Sequence, residues 1–330
     1  MRACKPDQSG FAESTGARIY YEVFGSGPAT LLFMPPWTLV YSRVWKLQVP
    51  YLARHYRVIA YDGRGNGRSS RPTDSVLYTL RHYADDALAV MDATKTSSAT
   101  VVGFSLGGLP LAMLAVNHAE RVDGAIFIAP VAPFGEPPPR NAIPWSKPLP
   151  TAEGWEKHNK HYWKRAYADW LEFFAGKLFS ERHSTKGIED AIGWGSETNA
   201  DVLIATYEAP RSEGEPPFDR REAAEYYRKI ACPVLVIHGS DDAVIPYSAG
   251  EGVARATGGA LVTIDGGGHV PHARHPVKVN LVIRRFMDTI ASRRARAARA
   301  DVYVGNGMRC STSSGKNSTP SPASYSKSSA

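Results

Sequence analysis

The sequence predicts an α/β fold, in which a mostly parallel, doubly wound sheet carries a helical insertion between its sixth and seventh strands. Short apolar, β-branched runs bounded by turn residues alternate with segments of helical periodicity. Strands that alternate with helices form parallel sheets covered on both faces. Two groups of such strands are separated by about 100 residues without a buried strand, far more than one crossover requires.

The predicted elements follow in a regular order. Residues 18–23 alternate like an antiparallel strand and end at Gly25-Ser26-Gly27-Pro28. Buried strands are predicted at 30–34, 56–61, 99–104, 125–129, 234–237 and 260–264. Between them, helices are predicted at 82–93, 106–118 and 277–290.

Residues 131–228 are predicted to be the helical insertion. One amphipathic helix is predicted from residue 155 to about residue 179. Because ligands bind at the carboxyl ends of the strands in open α/β sheets, we interpret the insertion as a lid over that edge. The alternative is that its aromatic residues only pack the insertion against the core. Five of the seven tryptophans lie in this region: Trp145, Trp155, Trp163, Trp170 and Trp194.

Composition sets the outer boundaries of the fold. Residues 15–130 and 229–292 are predicted to form the core, and residues 1–14 an N-terminal extension. The net charge of +7 lies almost entirely after residue 292, where seven cations accompany one anion. Residues 293–330 are therefore predicted to be a disordered, basic and serine-rich tail. A basic patch on the fold itself is not indicated, so nucleic-acid binding is not expected.

No feature of the sequence suggests a membrane span, a disulfide framework or a metal site. Cys4, Cys232 and Cys310 are scattered and odd in number. The first residues lack the apolar segment of a secretory signal, and no apolar run approaches the ~20 residues that span a bilayer. A cytoplasmic protein without cofactor or metal is expected, and both a monomer and a homodimer remain open.

Ser105 is the candidate nucleophile, because it lies in Gly103-Phe104-Ser105-Leu106-Gly107 between a predicted strand and a predicted helix. A serine at such a turn is strained and tightly packed, which requires glycine neighbours. A serine hydroxyl also needs an adjacent base before it can attack.

Four motifs in order resemble the α/β-hydrolase fold family over roughly residues 15–292. Besides the serine motif they are Asp62-Gly63-Arg64-Gly65-Asn66-Gly67-Arg68-Ser69, His238-Gly239-Ser240-Asp241-Asp242 and Gly267-Gly268-His269-x-Pro271. A serine at the nucleophile position distinguishes the chain from the family's epoxide hydrolases and haloalkane dehalogenases, which use aspartate there.

The resemblance implies the remaining roles. His269 directly follows the glycines and is the candidate base, with His272 and His275 as competitors expected to have surface or lid-contact roles. Asp242, three residues past a glycine, is the candidate orienting acid, whereas the neighbouring Asp241 is expected to be a turn residue. Some family members place the acid after the preceding strand, but residues 129–132 contain no carboxylate here.

The oxyanion hole is expected to combine the backbone N–H groups of Leu106 and Trp37. The family usually has His-Gly in the loop after the first parallel strand, and this chain has Pro35-Pro36-Trp37. Neither proline can donate a hydrogen bond, which leaves Trp37 as the second donor.

A serine hydrolase that cleaves a small to medium, largely apolar or aromatic carboxylic ester is therefore the leading hypothesis. A C–C bond hydrolase of a ring-cleavage diketone, a lactonase and a perhydrolase use the same scaffold. A small-molecule receptor on a hydrolase fold is the alternative of another class, because fold does not determine function.

Overall fold

A computed structural model describes the backbone of residues 4–307 and the side chains of residues 4–293. Eight strands form one sheet in the order β1-β2-β4-β3-β5-β6-β7-β8. The pairs that join β1 to β2 and β2 to β4 are antiparallel, and all the others are parallel. The strands are β1 (Gln8–Ser14), β2 (Ala17–Phe24), β3 (Thr30–Met34), β4 (Arg57–Tyr61), β5 (Ala99–Phe104), β6 (Val122–Ile128), β7 (Val234–Gly239) and β8 (Ala260–Ile264).

Helices cover both faces of this sheet, as the sequence predicts. One apolar core contains side chains of α2, α3, α7 and α8, and the other contains side chains of α1, α4, α5, α6 and α10. The helices are α1 (Val49–Leu52), α2 (Leu80–Ala93), α3 (Gly108–Asn117), α4 (Lys160–Leu178), α5 (Thr185–Gly195), α6 (Ala200–Tyr207), α7 (Arg220–Tyr227), α8 (Tyr247–Thr257), α9 (Pro271–Arg274) and α10 (Pro276–Gly307).

The N-terminal boundary requires a correction. Residues 8–14, predicted as part of an extension, form the edge strand β1, which pairs with β2 along its whole length. Their sequence, Gln-Ser-Gly-Phe-Ala-Glu-Ser, is mostly polar, because only Ala12 is buried. An edge strand of this kind depends on backbone pairing with its neighbour, which hydrophobic periodicity cannot show.

The segment between β6 and β7 is helical and contains α4 to α7. The predicted helix over 155–179 is divided, since a 3₁₀ turn at Gly154–Lys157 precedes α4. Asn159 is the N-cap of α4, because its side-chain oxygen accepts hydrogen bonds from the N–H groups of His161 and Tyr162 at 3.0 and 3.3 Å. That this insertion acts as a lid stays a prediction.

The C-terminal part of the chain divides at residue 290, where one compact unit ends and a second begins. Helix α10 extends to Gly307, so residues 293–307 of the predicted tail are helical. That the tail is disordered stays a prediction. The rest of the predicted tail, residues 308–330, lies outside the described residues.

Candidate active site

Ser105 lies at a strained turn between β5 and α3. Its backbone φ is +53°, in the left-handed region that residues other than glycine rarely adopt. A Cβ atom at Gly103 would lie 2.5 Å from the carbonyl oxygen of Gly107, and one at Gly107 would lie 2.7 Å from the carbonyl oxygen of Pro35. Both glycines are therefore needed, one to close the turn and one to let the 35–37 loop pack against it.

The structure brings His269 and Asp242 to this serine in a continuous hydrogen-bonded chain. His269 Nε2 lies 2.9 Å from Ser105 Oγ, and His269 Nδ1 lies 2.7 Å from Asp242 Oδ2. The acid follows β7 and the histidine follows β8, and these strands are parallel neighbours. Their two loops pack closely, because a Cβ atom at Gly239 would lie 2.2 Å from the carbonyl oxygen of Gly267.

Of the two adjacent aspartates, only Asp242 faces the histidine. Its Oδ1 accepts hydrogen bonds from the N–H groups of Val244 and Ile245 at 2.8 and 2.9 Å. Burial alone raises the pKa of Asp242, but the charge of His269 and hydrogen bonds from two histidines outweigh it and hold that pKa well below its usual range. Asp241 is exposed and accepts a hydrogen bond from the hydroxyl of Ser240 at 2.8 Å.

A second histidine contacts the same carboxylate. His238 Nε2 lies 3.1 Å from Asp242 Oδ2 and 3.2 Å from the carbonyl oxygen of Ile245. Because that carbonyl can only accept, the Nε2 of His238 carries the proton and donates to the carboxylate. The His238 side chain is fully buried. The sequence motif contains His238 but assigns it no role, although its position four residues before the acid was a signal for one.

The other two candidate histidines are not brought to the serine. His272, expected at the surface or against the lid, is instead buried in the core. Its ring centroid lies 4.7 Å from that of Trp45 and 4.6 Å from that of Phe104. Burial, with a smaller contribution from the charge of His269, lowers the pKa of His272 to about 3. His275 ends α9, directly before Pro276.

The two expected oxyanion donors border the space around Ser105. Neither the backbone N–H of Trp37 nor that of Leu106 donates a hydrogen bond to another of the described residues. The indole Nε1 of Trp37 donates to the hydroxyl of Thr206 on α6 at 2.7 Å, which attaches the 35–37 loop to the insertion. Both N–H groups are therefore left for a ligand atom.

Two separate spaces of different size are lined by consecutive residues of this turn, Ser105 and Leu106. The smaller, about 30 Å³, is almost wholly apolar and is lined by Ser105 and His269 together with Trp37, Phe104, Phe174 and Leu178. The larger is a cleft of about 600 Å³ lined by Leu106, the residue after the serine, and by Val131, whose N–H donates to the carbonyl oxygen of Ser105 at 2.9 Å.

Within residues 4–307 no helix is long and apolar enough to span a membrane. The same described part of the chain contains no group of three or more histidine, cysteine or carboxylate side chains placed to hold a metal ion.

Comparisons with known proteins agree with this geometry. A family model described as alpha/beta hydrolase fold matches residues 30–276. The chain is 29% identical over 239 residues to a non-heme haloperoxidase of Rhodococcus erythropolis, which covers 71% of this chain and 82% of that protein. It is 26% identical over 283 residues to a bifunctional esterase/perhydrolase of Acinetobacter calcoaceticus, which covers 84% and 97%.

Similarity of structure extends over nearly the whole fold. The crystal structure of a bromoperoxidase from Bacillus anthracis superposes with a TM-score of 0.70 and 24% identity, covering 85% of this chain and all of that one. At that identity the likeness shows the fold alone, whereas the family match covers most of the chain. On that match, the protein belongs to the α/β-hydrolase fold family and is an enzyme of the hydrolase class.

Proposed function

We propose that the protein is a serine hydrolase that cleaves a carboxylic ester through an acyl-enzyme intermediate. The observation that carries the proposal is the hydrogen-bonded chain from Ser105 through His269 to Asp242, with distances of 2.9 and 2.7 Å. These are the separations at which an imidazole can take a proton from a hydroxyl while a carboxylate holds the ring.

The steps follow from the positions of the groups. Ser105 Oγ attacks the ester carbonyl while His269 Nε2 takes its proton, and Asp242 stabilises the resulting imidazolium. The N–H groups of Leu106 and Trp37 bind the oxyanion of the tetrahedral intermediate. His269 then gives the proton to the departing alkoxide. Water, activated by the same histidine, attacks the acyl-enzyme and releases the acid and the free serine.

The small cavity supports a short acyl group. Its apolar lining favours an acetyl or similar chain, since each buried CH₂ is worth about 0.8 kcal/mol while space lasts. A cavity of about 30 Å³ enclosed by aromatic rings leaves little room beyond that. The larger alcohol or aryl part of the ester would occupy the cleft beside Leu106.

The test uses p-nitrophenyl esters of increasing acyl length and a fluorescent serine-reactive phosphonate. We expect efficient turnover of short esters, loss of that turnover in Ser105→Ala, and phosphonate labelling that requires Ser105 and is blocked by substrate. Stoichiometric binding without turnover across the panel would contradict the proposal and indicate a receptor. Feeble ester turnover beside rapid cleavage of a vinylogous diketone would indicate a C–C hydrolase.

Perhydrolysis is the second candidate activity, because the chain resembles an esterase/perhydrolase over most of its length. In that reaction hydrogen peroxide replaces water as the attacker of the acyl-enzyme, and a peracid leaves. The rate of peracid formation from acetate esters with added peroxide, divided by the rate of hydrolysis, measures how the acyl-enzyme partitions between peroxide and water. The same panel should include simple lactones, in which the leaving alcohol stays attached to the acyl group.

A further inference from the structure

The cleft beside Leu106 contains an arginine that forms no direct ion pair with any described residue. Arg140 follows β6 and lines this cleft of about 600 Å³. Among the described residues, its one hydrogen bond runs from Nη1 to the carbonyl oxygen of Val244, at 2.7 Å. Within the described residues it has no carboxylate at ion-pair distance. Burial lowers the pKa of its guanidinium, and the more distant charge of Asp242 opposes this shift without reversing it.

A partly buried arginine without a counter-ion is energetically unfavourable. Removing its charge from water has a cost that a single carbonyl acceptor offsets only in part. A guanidinium has five N–H donors in a planar fork, so donors beyond the one bonded to Val244 remain for another acceptor. A planar carboxylate matches such a fork through two parallel hydrogen bonds.

The other cationic side chains of the cleft are already engaged. Arg211 lies 3.7 Å from the carboxylate of Glu215, bonds the carbonyl oxygen of Pro216 and lies over the ring of Phe218. Arg220 is exposed and donates to the carbonyl oxygen of Gly135. Arg211 has an ion pair and Arg220 is exposed to water, so Arg140 is the partly buried arginine of the cleft without an ion-pair partner among the described residues. Its single charge suits a singly charged carboxylate better than a phosphate dianion.

Arg140 is also close to the catalytic groups. Val244, whose carbonyl it bonds, belongs to the loop that donates two N–H groups to Asp242. Leu106, one of the proposed oxyanion donors, lines the same cleft. A substrate whose carbonyl lies at Ser105 and whose larger part fills the cleft would bring that part to Arg140.

We propose that the preferred ester carries a carboxylate on its leaving-group side, and that Arg140 binds this carboxylate in the cleft. The inference rests on the proposed function, since it assumes an ester carbonyl at Ser105. Arg140 then selects among esters, while the residues around Ser105 perform the cleavage.

The test compares two esters that differ only in charge. The acetate ester of 3-(4-hydroxyphenyl)propanoate has a distant carboxylate, and the matching propanamide has a neutral group of similar shape on the same phenol. We expect wild-type kcat/KM to favour the carboxylate at least tenfold, mainly through KM. Arg140→Gln should lower kcat/KM for the carboxylate at least tenfold more than for the amide, and Arg140→Lys should recover part of the preference. Arg220→Gln, in the same cleft, should leave the ratio within about twofold.

Two results would overturn the inference. A wild-type ratio near one does so directly. An equal loss of both activities in Arg140→Gln also does so, because it means that the arginine only holds the loop of Asp242 through Val244. Binding of the free product acid and of its amide to Ser105→Ala provides an independent measurement. If Ser105→Ala prefers the acid in a way that depends on Arg140 while the wild-type protein turns over no ester, the carboxylate site stands and the hydrolase proposal is wrong.

Discussion

At the residue scale, the hydrogen-bond partners of each side chain in the site determine what that side chain can do. Asp242 accepts from two backbone N–H groups with one oxygen and from two histidines with the other. These four contacts keep the carboxylate ionised and fix its orientation toward His269. The adjacent Asp241 has the same chemistry but turns outward to the hydroxyl of Ser240.

The two aspartates give the first prediction. Asp242→Asn should reduce ester turnover on the order of 10⁴-fold, because an amide favours the wrong tautomer of the catalytic histidine. Ser105→Ala and His269→Ala should each cost roughly 10⁴-fold or more, and the double variant hardly more than either, since the residues act as a unit. Steady-state kinetics with Asp241→Asn as the matched control checks this. A damaging Asp241→Asn beside a mild Asp242→Asn would reverse the assignment of the acid.

His238 gives the second prediction, as a positioning residue for Asp242. Replacing His238 by Leu removes one donor from the carboxylate, which then holds the protonated His269 more strongly. We expect kcat/KM to fall about tenfold, given that a hydrogen bond to a charged group is worth roughly 1.5–3 kcal/mol. The acidic limb of its pH profile should also move to higher pH.

A control separates this effect from a change in packing. His238→Gln keeps an N–H donor and should recover part of the activity and of the normal pH profile. If both variants lose activity while the pH limb stays in place, His238 contributes only to packing around Gly250.

At the element scale, α4 determines how the insertion meets the core. Trp163, Trp170 and Phe174 recur along one face of the helix and surround the indole of Trp37, with ring centroids 5.7 to 6.0 Å away. The helix is interrupted at Ala166, which has φ −145° and ψ 49°. The same face supplies the apolar wall of the small cavity beside Ser105.

This wall gives the third prediction, concerning acyl-chain length. Wild-type kcat/KM should rise with each methylene of a short acyl chain and then drop sharply, because a packed interior does not expand without cost. Phe174→Ala should move that limit to longer chains. Kinetics on a graded series of p-nitrophenyl esters measures the limit. Leu171→Ala, also buried on α4 but absent from the cavity wall, is the control and should lose stability without moving it.

At the scale of the whole molecule, two separate apolar cores cover the sheet, and one of them encloses two histidines that affect stability. His158 and His272 belong to the face on which the insertion packs, and their ring nitrogens have no partner among the described residues. Burial, followed by the charge of Arg140, lowers the pKa of His158 to about 3. The pKa of His272 is lowered to about the same value, again mainly by burial.

The fourth prediction concerns acid stability. In the unfolded chain these histidines become protonated below pH ~6.5, whereas in the folded protein they become protonated only near pH 3. Their contribution to the free energy of unfolding is therefore complete above pH 6.5 and is lost as the pH falls toward 3, by at most about 1.4 kcal/mol per pH unit for each group.

Denaturant unfolding over this pH range measures the effect. His158→Phe and His272→Phe should each flatten the decline, while His161→Gln, a change at an exposed histidine, should not. An unchanged pH dependence in both phenylalanine variants would mean that other groups control acid unfolding.

The sequence by itself determined the strands, the strand-to-helix serine turn and the order of the motifs. Those features are local, because buried strands need continuous apolar runs and a strained turn needs glycine beside Ser105. Tertiary structure alone decided which polar groups meet. It recruited the polar segment of β1 through backbone pairing, and it placed His238 on the carboxylate and His272 in the core. It also left Arg140 in the cleft without a direct ion pair to a described residue. His272 meets Trp45 and Phe104, which lie far from it in the chain. His238 and β1 lie close in sequence to their partners, but hydrophobic periodicity does not show which polar groups will pair.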